Sequence, residues 1–327
     1  MALVAGTTRT ARIDGISAAG ADADLRDHTP SADAELLAYG RPVYAPAVPV
    51  SPTGCPTPAL VTRAVRELVG FEATTVDAGL AEPTAAPTVG VGADPGGDIR
   101  EPGPVPGAAE IIEKSIKIGK ILSDSNILVG ETVPGGTTTA LGVLAALGDR
   151  FGVSSSLPEN PVALKAEVVE AGLAASDLAP GDAAGRPVVA VREMGDPVLA
   201  AAFGLARGAI DAGVRVTLAG GTQMLAVAGL LRHAGVDAPL TVATTSYVAD
   251  DDTAEVRAAA DAFDVDLAVT DPGFGGADHP VARYARGEAK EGAGMGGALM
   301  RAEREGVPMA AVRERVRTLY GEVVDGA

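Results

Sequence analysis

One cysteine, no tryptophan and only five lysines occur in 327 residues, and each scarcity removes a class of explanation. The lone Cys55 cannot close an intramolecular disulfide, so the fold must rest on its apolar core. With that cysteine and three scattered histidines (His28, His233, His279), neither paired CxxC nor HExxH spacing is present, so no metal and no cofactor are expected. No apolar run approaches the roughly 20 residues of a membrane span. The opening MALVAGTTRTARID also lacks the charged-then-apolar pattern of a secretion signal, which makes the cytoplasm the expected address, with no membrane partner. The lysines (Lys114, Lys117, Lys120, Lys165, Lys290) form no patch in a chain of net charge −17, which argues against nucleic acid as a partner. A Gly-x-Ser-x-Gly elbow is missing, and so is the Gly-x-Gly-x-x-Gly fingerprint of nicotinamide-dependent dehydrogenases.

What is present is 47% hydrophobic residues, ample for a large α/β core. A GC-rich genome would explain the alanine, arginine and glycine, but not so large an acidic excess. That excess, together with few aromatics, reads as solubility in high salt.

Residues 1 to 40 carry turn residues with little periodicity and read as irregular, and VYAPAVPV at 43–50 offers at most one strand. Thr57-Pro58 before ALVTRAVRELV predicts a helix over 58–69, with proline at its first position. Residues 79–107 are so rich in glycine and proline that they read as a long loop. A helix is predicted over 108–123, then the strand NILVGETV, a glycine turn and a further helix. The rhythm repeats: PVVAV, VRVTL, LTVATTSY and VDLAV read as short buried strands, and apolar helices separate them. This predicts a three-layer, Rossmann-like, mostly parallel sheet with helices on both faces. The core is expected over 108–278, with 1–107 and 279–327 as accessory segments completing one functional unit over 1–327. A charged amphipathic helix near 307–323 would pack outside the sheet or against a second subunit.

In such a sheet, ligands bind beyond the carboxyl ends of strands, where helix-start N–H groups attract anions. Two turns fit. In the first, Gly130 to Thr139, Gly135 and Gly136 permit close backbone approach while Thr137 and Thr138 can cap the helix or bind phosphate oxygens. The bland alternative is an ordinary helix cap; Glu131 favours a ligand, since an acid beside such a turn can hold ribose hydroxyls. The second turn is Gly220-Gly221-Thr222. A third passage, AKEGAGMGGA, sets Glu291 among small residues, either as a carboxylate desolvated toward general-base strength or as a solvated residue in a hinge.

The order GETVPGGTTTALGVLAALG, Lys165 in PVALKAEVVEAGL, LAGGTQMLAVAGLL and KEGAGMGGAL resembles the nicotinate-nucleotide:dimethylbenzimidazole phosphoribosyltransferase family, in its archaeal branch. The resemblance runs from about residue 15, with GISAAGADADLRDHTPSADAELL, to about residue 300. It implies transfer of ribose 5-phosphate from nicotinate mononucleotide to a benzimidazole-type base, giving nicotinate and α-ribazole 5′-phosphate for cobalamin. That chemistry requires no metal, and the partners are small molecules. Carried over by motif, Glu291 is the catalytic base. Glu131, Gly135, Gly136, Thr137, Thr138 and Lys165 would hold the ribose and phosphate, while Gly220, Gly221, Gly292 and Gly294 line the crevice. The resemblance further implies a homodimer. Two departures stand out: bacterial members carry Asn where this chain has Gly136, and their arginine before the late glutamate has no counterpart. The base pocket falls in the divergent N-terminal half, with Ser17, Ser31 and the 79–107 loop as candidates. A non-catalytic nucleotide-binding or sensing protein would keep the phosphate site but would not need Glu291.

Overall fold

The computed structural model describes all residues except 20–22, 123–124, 277–278 and 327. The last residue of the helix expected over 108–123, the core boundary at 278 and three residues of the GISAAGADAD motif lie outside the described residues.

Seven parallel strands form one sheet in the order β3-β2-β1-β4-β5-β6-β7. They are β1 (Ala2–Ala5), β2 (Thr74–Asp77), β3 (Thr88–Gly90), β4 (Asn126–Thr132), β5 (Arg215–Ala219), β6 (Thr241–Thr245) and β7 (Asp266–Thr270). The described residues also form twelve α-helices. These are α1 (Ala23–Tyr39), α2 (Ala59–Val69), α3 (Ala108–Lys120), α4 (Gly136–Leu147), α5 (Val162–Ala175), α6 (Pro187–Met194), α7 (Pro197–Asp211), α8 (Thr222–His233), α9 (Ser246–Ala249), α10 (Val256–Ala262), α11 (Met295–Arg304) and α12 (Met309–Tyr320). One face of the sheet carries α3, α4, α7 and α8, with α5, α6 and α10 around them; the other carries α1, α2, α11 and α12. The fold is therefore the three-layer α/β architecture expected from the alternating pattern.

Strand alternation sorts the core. Ala2 and Val4 point into the larger apolar cluster, while Leu3 between them points into the cluster under α2, α11 and α12. In register across the sheet, Gly130 pairs with Ala219, Ala219 with Ala243 and Ala243 with Ala268. This row of small residues is where α11 sits. Gly296 and Gly297 touch it so closely that a side-chain carbon at either would overlap Thr244 or Ala219. The glycines after Glu291 thus let a helix start against the sheet, which fixes that carboxylate over the ends of β4, β5 and β6.

Several expectations are corrected. Residues 1–40 are not irregular: they supply β1, a 3-10 turn at Arg9–Arg12 and the 17-residue α1. The 43–50 run forms no strand, only an isolated bridge between Val50 and Pro56. The 79–107 loop contains the short edge strand β3. PVVAV is the start of helix α6, with Pro187 in its first turn and Ala190, Val191 and Met194 buried. An apolar run of strand length does not by itself distinguish a strand from a buried helix. The glycine-rich passage read as a possible hinge starts α11. Finally, the sheet extends beyond 108–278, because β1, β2 and β3 come from residues 2–90. The helices expected over 58–69 and 307–323 are present as α2 and α12.

Strand order reverses between β1 and β4, the topological switch point at which open α/β sheets bind ligands.

Candidate active site

A cleft of about 120 Å³ opens beyond the carboxyl end of β4, between the first turns of α4 and α8 and beneath the 287–294 segment. Glu131 and Thr132 end β4 and line it, and Val133, Pro134, Gly135, Gly136 and Thr137 continue its wall. Gly135 caps α4 at φ +79, a conformation that side chains resist, and an added carbon there would lie 2.9 Å from the Ala11 backbone. At Gly136 an added carbon would meet Val133 at 2.5 Å and Gln223 at 2.8 Å, so the Asn associated with bacterial members has no room here. Thr138 does not reach the cleft; it is fully buried and its hydroxyl has no partner. Across the cleft, Gly221, Thr222 and Gln223 open α8, so the unpaired N–H ends of two helices converge on one space. Gly221 packs against Glu291, while Gly220 lies outside the lining, against Met224.

Glu291 is held by a strained segment. Its neighbours Ala289 (φ 42) and Ala293 (φ 49) are two of the five non-glycine residues with positive φ among the described residues, and Gly292 and Gly294 flank Ala293 at φ +143 and +74. The segment is tied down on several sides: Thr245 Oγ1 donates to the Lys290 carbonyl (2.7 Å), Thr62 Oγ1 to that of Ala293 (2.9 Å), and the Ala293 N–H to that of Glu131 (2.7 Å). Glu291 Oε1 accepts from the N–H groups of Gly296 (2.9 Å) and Gly292 (3.2 Å), whereas its Oε2 is buried without a partner. Burial pushes its carboxyl up to about 7, opposed first by the Gly296 and Gly292 N–H groups and then by Thr245 and Thr244. Gly292 lines the cleft; Gly294 instead packs on Gly130 and Met1.

Glu131 is 3% exposed. Burial, then the charges of Asp196, Glu291 and Asp33, pushes its carboxyl up to about 8. Asp33, from α1, accepts from Thr132 Oγ1 at 2.6 Å and Thr57 Oγ1 at 2.7 Å, and burial lifts it to about 6. Asp196 caps α7 through the Leu199 N–H (2.8 Å), meets the Thr139 hydroxyl, and is likewise raised by burial.

The lysines are engaged elsewhere. Lys290 lines the cleft and pairs with Asp251 at 2.6 Å, both largely buried, and Ser154 Oγ also donates to Asp251 (3.0 Å). Lys165 does not line the cleft. Its buried ammonium donates to the Ser154 carbonyl at 2.6 Å and so braces the Ser154-Ser155-Ser156 wall; burial, then the charge of Lys290, pulls its pKa down to about 7.

Of the residues proposed from sequence, the cleft therefore gathers Glu131, Gly135, Gly136, Thr137, Gly221, Glu291 and Gly292; Thr138, Lys165, Gly220 and Gly294 stand behind it. Among the base-pocket candidates, Ser17 lines the cleft, but Ser31 donates to the Glu82 carbonyl and the 79–107 loop is not part of the lining. Sequence reasoning missed Asp33, the Ser154–Ser156 segment and Lys290. Only Lys290, beside Glu291 in the quoted motif, carried a readable signal. Among the described residues, no group of three His, Cys, Asp or Glu could hold a metal ion, and no helix is long and apolar enough to cross a membrane.

No family model matches the chain. A solved structure of nicotinate-nucleotide-dimethylbenzimidazole phosphoribosyltransferase from Thermus thermophilus superimposes with a TM-score of 0.64, over 100% of this chain and 85% of that one, at 18% identity. A structure of CobT from the same organism gives the same score and identity over 99% and 85%. At that identity the likeness establishes a shared fold. Sequence relatives are much closer. A UPF0284 protein of Halobacterium salinarum is 60% identical over 98% of this chain and 97% of its own length. One from Methanothermobacter thermautotrophicus is 41% identical over 97% and 91%, and one from Pyrococcus furiosus 39% identical over 98% and 98%. By these identities, over nearly the whole length, the chain belongs to the UPF0284 protein family.

Proposed function

We propose that the protein is a phosphoribosyltransferase that moves ribose 5-phosphate from nicotinate mononucleotide to a benzimidazole-type base, giving nicotinate and α-ribazole 5′-phosphate. The observation that carries this reading is Glu291: a carboxylate with one oxygen fixed by N–H groups and the other buried and partnerless, in a cleft framed by two helix N-termini.

The chemistry follows from those groups. The first turns of α4 and α8, with the Thr137 and Ser155 hydroxyls, suit a 5′-phosphate. Glu131 suits the ribose hydroxyls. With the sugar held at both ends, a ring nitrogen of the acceptor attacks the anomeric carbon. The bond to the pyridinium nitrogen breaks, and its electron pair returns to that nitrogen, releasing nicotinate. The acceptor's other nitrogen loses its N–H proton to Glu291, whose pKa near 7 matches a base working near neutrality. Positioning of this kind contributes several kcal/mol to the barrier reduction. No redox cofactor or metal enters the balance.

The same reading takes the protein to be a cytoplasmic homodimer that works in high salt, its acidic surface keeping it soluble there. The test is to incubate the protein in molar salt with nicotinate mononucleotide and 5,6-dimethylbenzimidazole and to separate the products by chromatography. Equimolar nicotinate and α-ribazole 5′-phosphate are expected. Nucleotide binding without product, across a panel of benzimidazoles and purines, would instead mean a carrier or sensor.

A further inference from the structure

Three carboxylates line the cleft, and none of them pairs with a cationic side chain; Lys290, the lysine in the lining, is paired with Asp251. Asp33 reaches it from α1, Glu131 from β4 and Glu291 from the segment before α11, so three separate stretches of chain each deliver an acid to one space. Asp33 and Glu131 are 3% exposed, and Glu291 keeps one oxygen wholly buried. Among the described residues, none of the three takes part in an ion pair. The two lysines nearby are committed, Lys290 to Asp251 and Lys165 to the Ser154 carbonyl. The partners Asp33 does have, Thr57 and Thr132, are neutral hydroxyls. Buried carboxyls without a counter-charge resist ionising, and a ligand that brings positive charge to where the three converge lets them ionise and is held by them in turn.

We propose that Asp33, with Glu131 and Glu291, is a specificity determinant that makes the cleft select nucleotides whose base carries a formal positive charge at the glycosylated ring nitrogen. The inference rests on the proposed function and deepens it. An N-glycosylpyridinium is such a cation, and the N-ribosylated benzimidazole is one too until its proton leaves. The site thus holds a cationic heterocycle on both sides of the transfer, and both the departing nicotinate nitrogen and the finished product lose that charge. Asp33 acts as a positioning group as well, because it ties Thr132, next to Glu131, to Thr57 ahead of α2.

The test compares nicotinate mononucleotide with its chemically reduced 1,4-dihydro form, which keeps the phosphate, ribose and ring carboxylate but leaves the ring nitrogen uncharged. Affinities are measured by calorimetry on the intact protein, first on wild type, which needs no variant to fold. The oxidised nucleotide is expected to bind at least about tenfold more tightly, the scale of one charge interaction in a partly buried site. Asp33→Asn, near in shape, is expected to cut that preference several-fold while weakening the reduced nucleotide little, and Glu131→Gln should do the same. Equal affinities in wild type would overturn the charge assignment and leave the transferase reading intact. A preference unchanged in Asp33→Asn would remove Asp33 from it. Failure of wild type to bind either nucleotide would overturn the transferase reading and the inference together.

Discussion

The two ends of the sheet treat charge in opposite ways. At the amino ends of β4 to β7, Arg215, Arg301 and Arg304 stand with Asp266 and Glu305 around an open cavity of about 400 Å³, larger than the cleft at the other end. Arg215 and Arg304 are exposed, so water solvates their charge at no cost to the fold. At the carboxyl ends, Glu131, Asp33 and Asp196 are buried, Glu291 is largely so, and burial raises each carboxyl above its ordinary value. The larger hollow is thus the ordinary one. What marks the cleft as the candidate site is ionisable groups kept from water against their own solvation.

The sharpest way to break this contrast is at Glu291. Glu291→Gln should lower turnover by about a thousandfold, the middle of the range for loss of a general base, while nucleotide affinity falls only several-fold, as for the other two cleft carboxylates. The paired change Arg215→Ala and Arg304→Ala at the other end should leave turnover within about twofold, and steady-state kinetics on both proteins checks the pair. Next in size is Gly136→Asn. Its side chain would strike Val133 and Gln223, so α4 must shift and turnover should fall by about a hundredfold, a loss that phosphate-site positioning can produce. A wild-type-like rate would mean that the first turn of α4 has slack.

The pH response is a smaller effect. In the proposed reaction Glu291 serves as base only when ionised, and burial puts its carboxyl near 7. Turnover should therefore fall about tenfold per unit below pH 7 and level off above it, and Asp or Glu variants at Arg215 should not move the break.

The smallest effect is on stability. A carboxyl raised to about 8 binds its proton more tightly folded than unfolded, so its ionisation opposes folding progressively from pH 4.5 to pH 8. Glu131→Gln removes that opposition. The variant should gain stability over wild type on the order of 3 kcal/mol more at pH 8 than at pH 5, read by denaturant unfolding.

Much of this could be read in the sequence where one local rule decided the outcome. Strands β4 to β7 are apolar runs between glycine turns and helices, and Gly135, Gly136, Gly221 and Glu291 stand at the turns where the rule for parallel sheets puts ligands. The rest depends on contacts between distant segments. β1 is four residues long and becomes a central strand only by pairing with residues near 75 and 130. Helix α1 carries Pro30 and no clear apolar stripe, so its sequence reads as turn-rich, and Asp33 within it acquires meaning only beside Thr57 and Thr132. PVVAV fits a strand or a helix and becomes α6 because it packs against α4. Lys165 was legible as an important lysine but not as one that braces the cleft wall from behind.

The most direct test of the account is a side-by-side measurement on wild type and Glu291→Gln, with nucleotide binding by calorimetry and product formation from nicotinate mononucleotide and 5,6-dimethylbenzimidazole in molar salt. The account predicts that both proteins bind the nucleotide and that only wild type releases nicotinate and α-ribazole 5′-phosphate at an appreciable rate. Comparable product from the variant would contradict the role of Glu291, and nucleotide bound by wild type without transfer to any base would contradict the transferase itself.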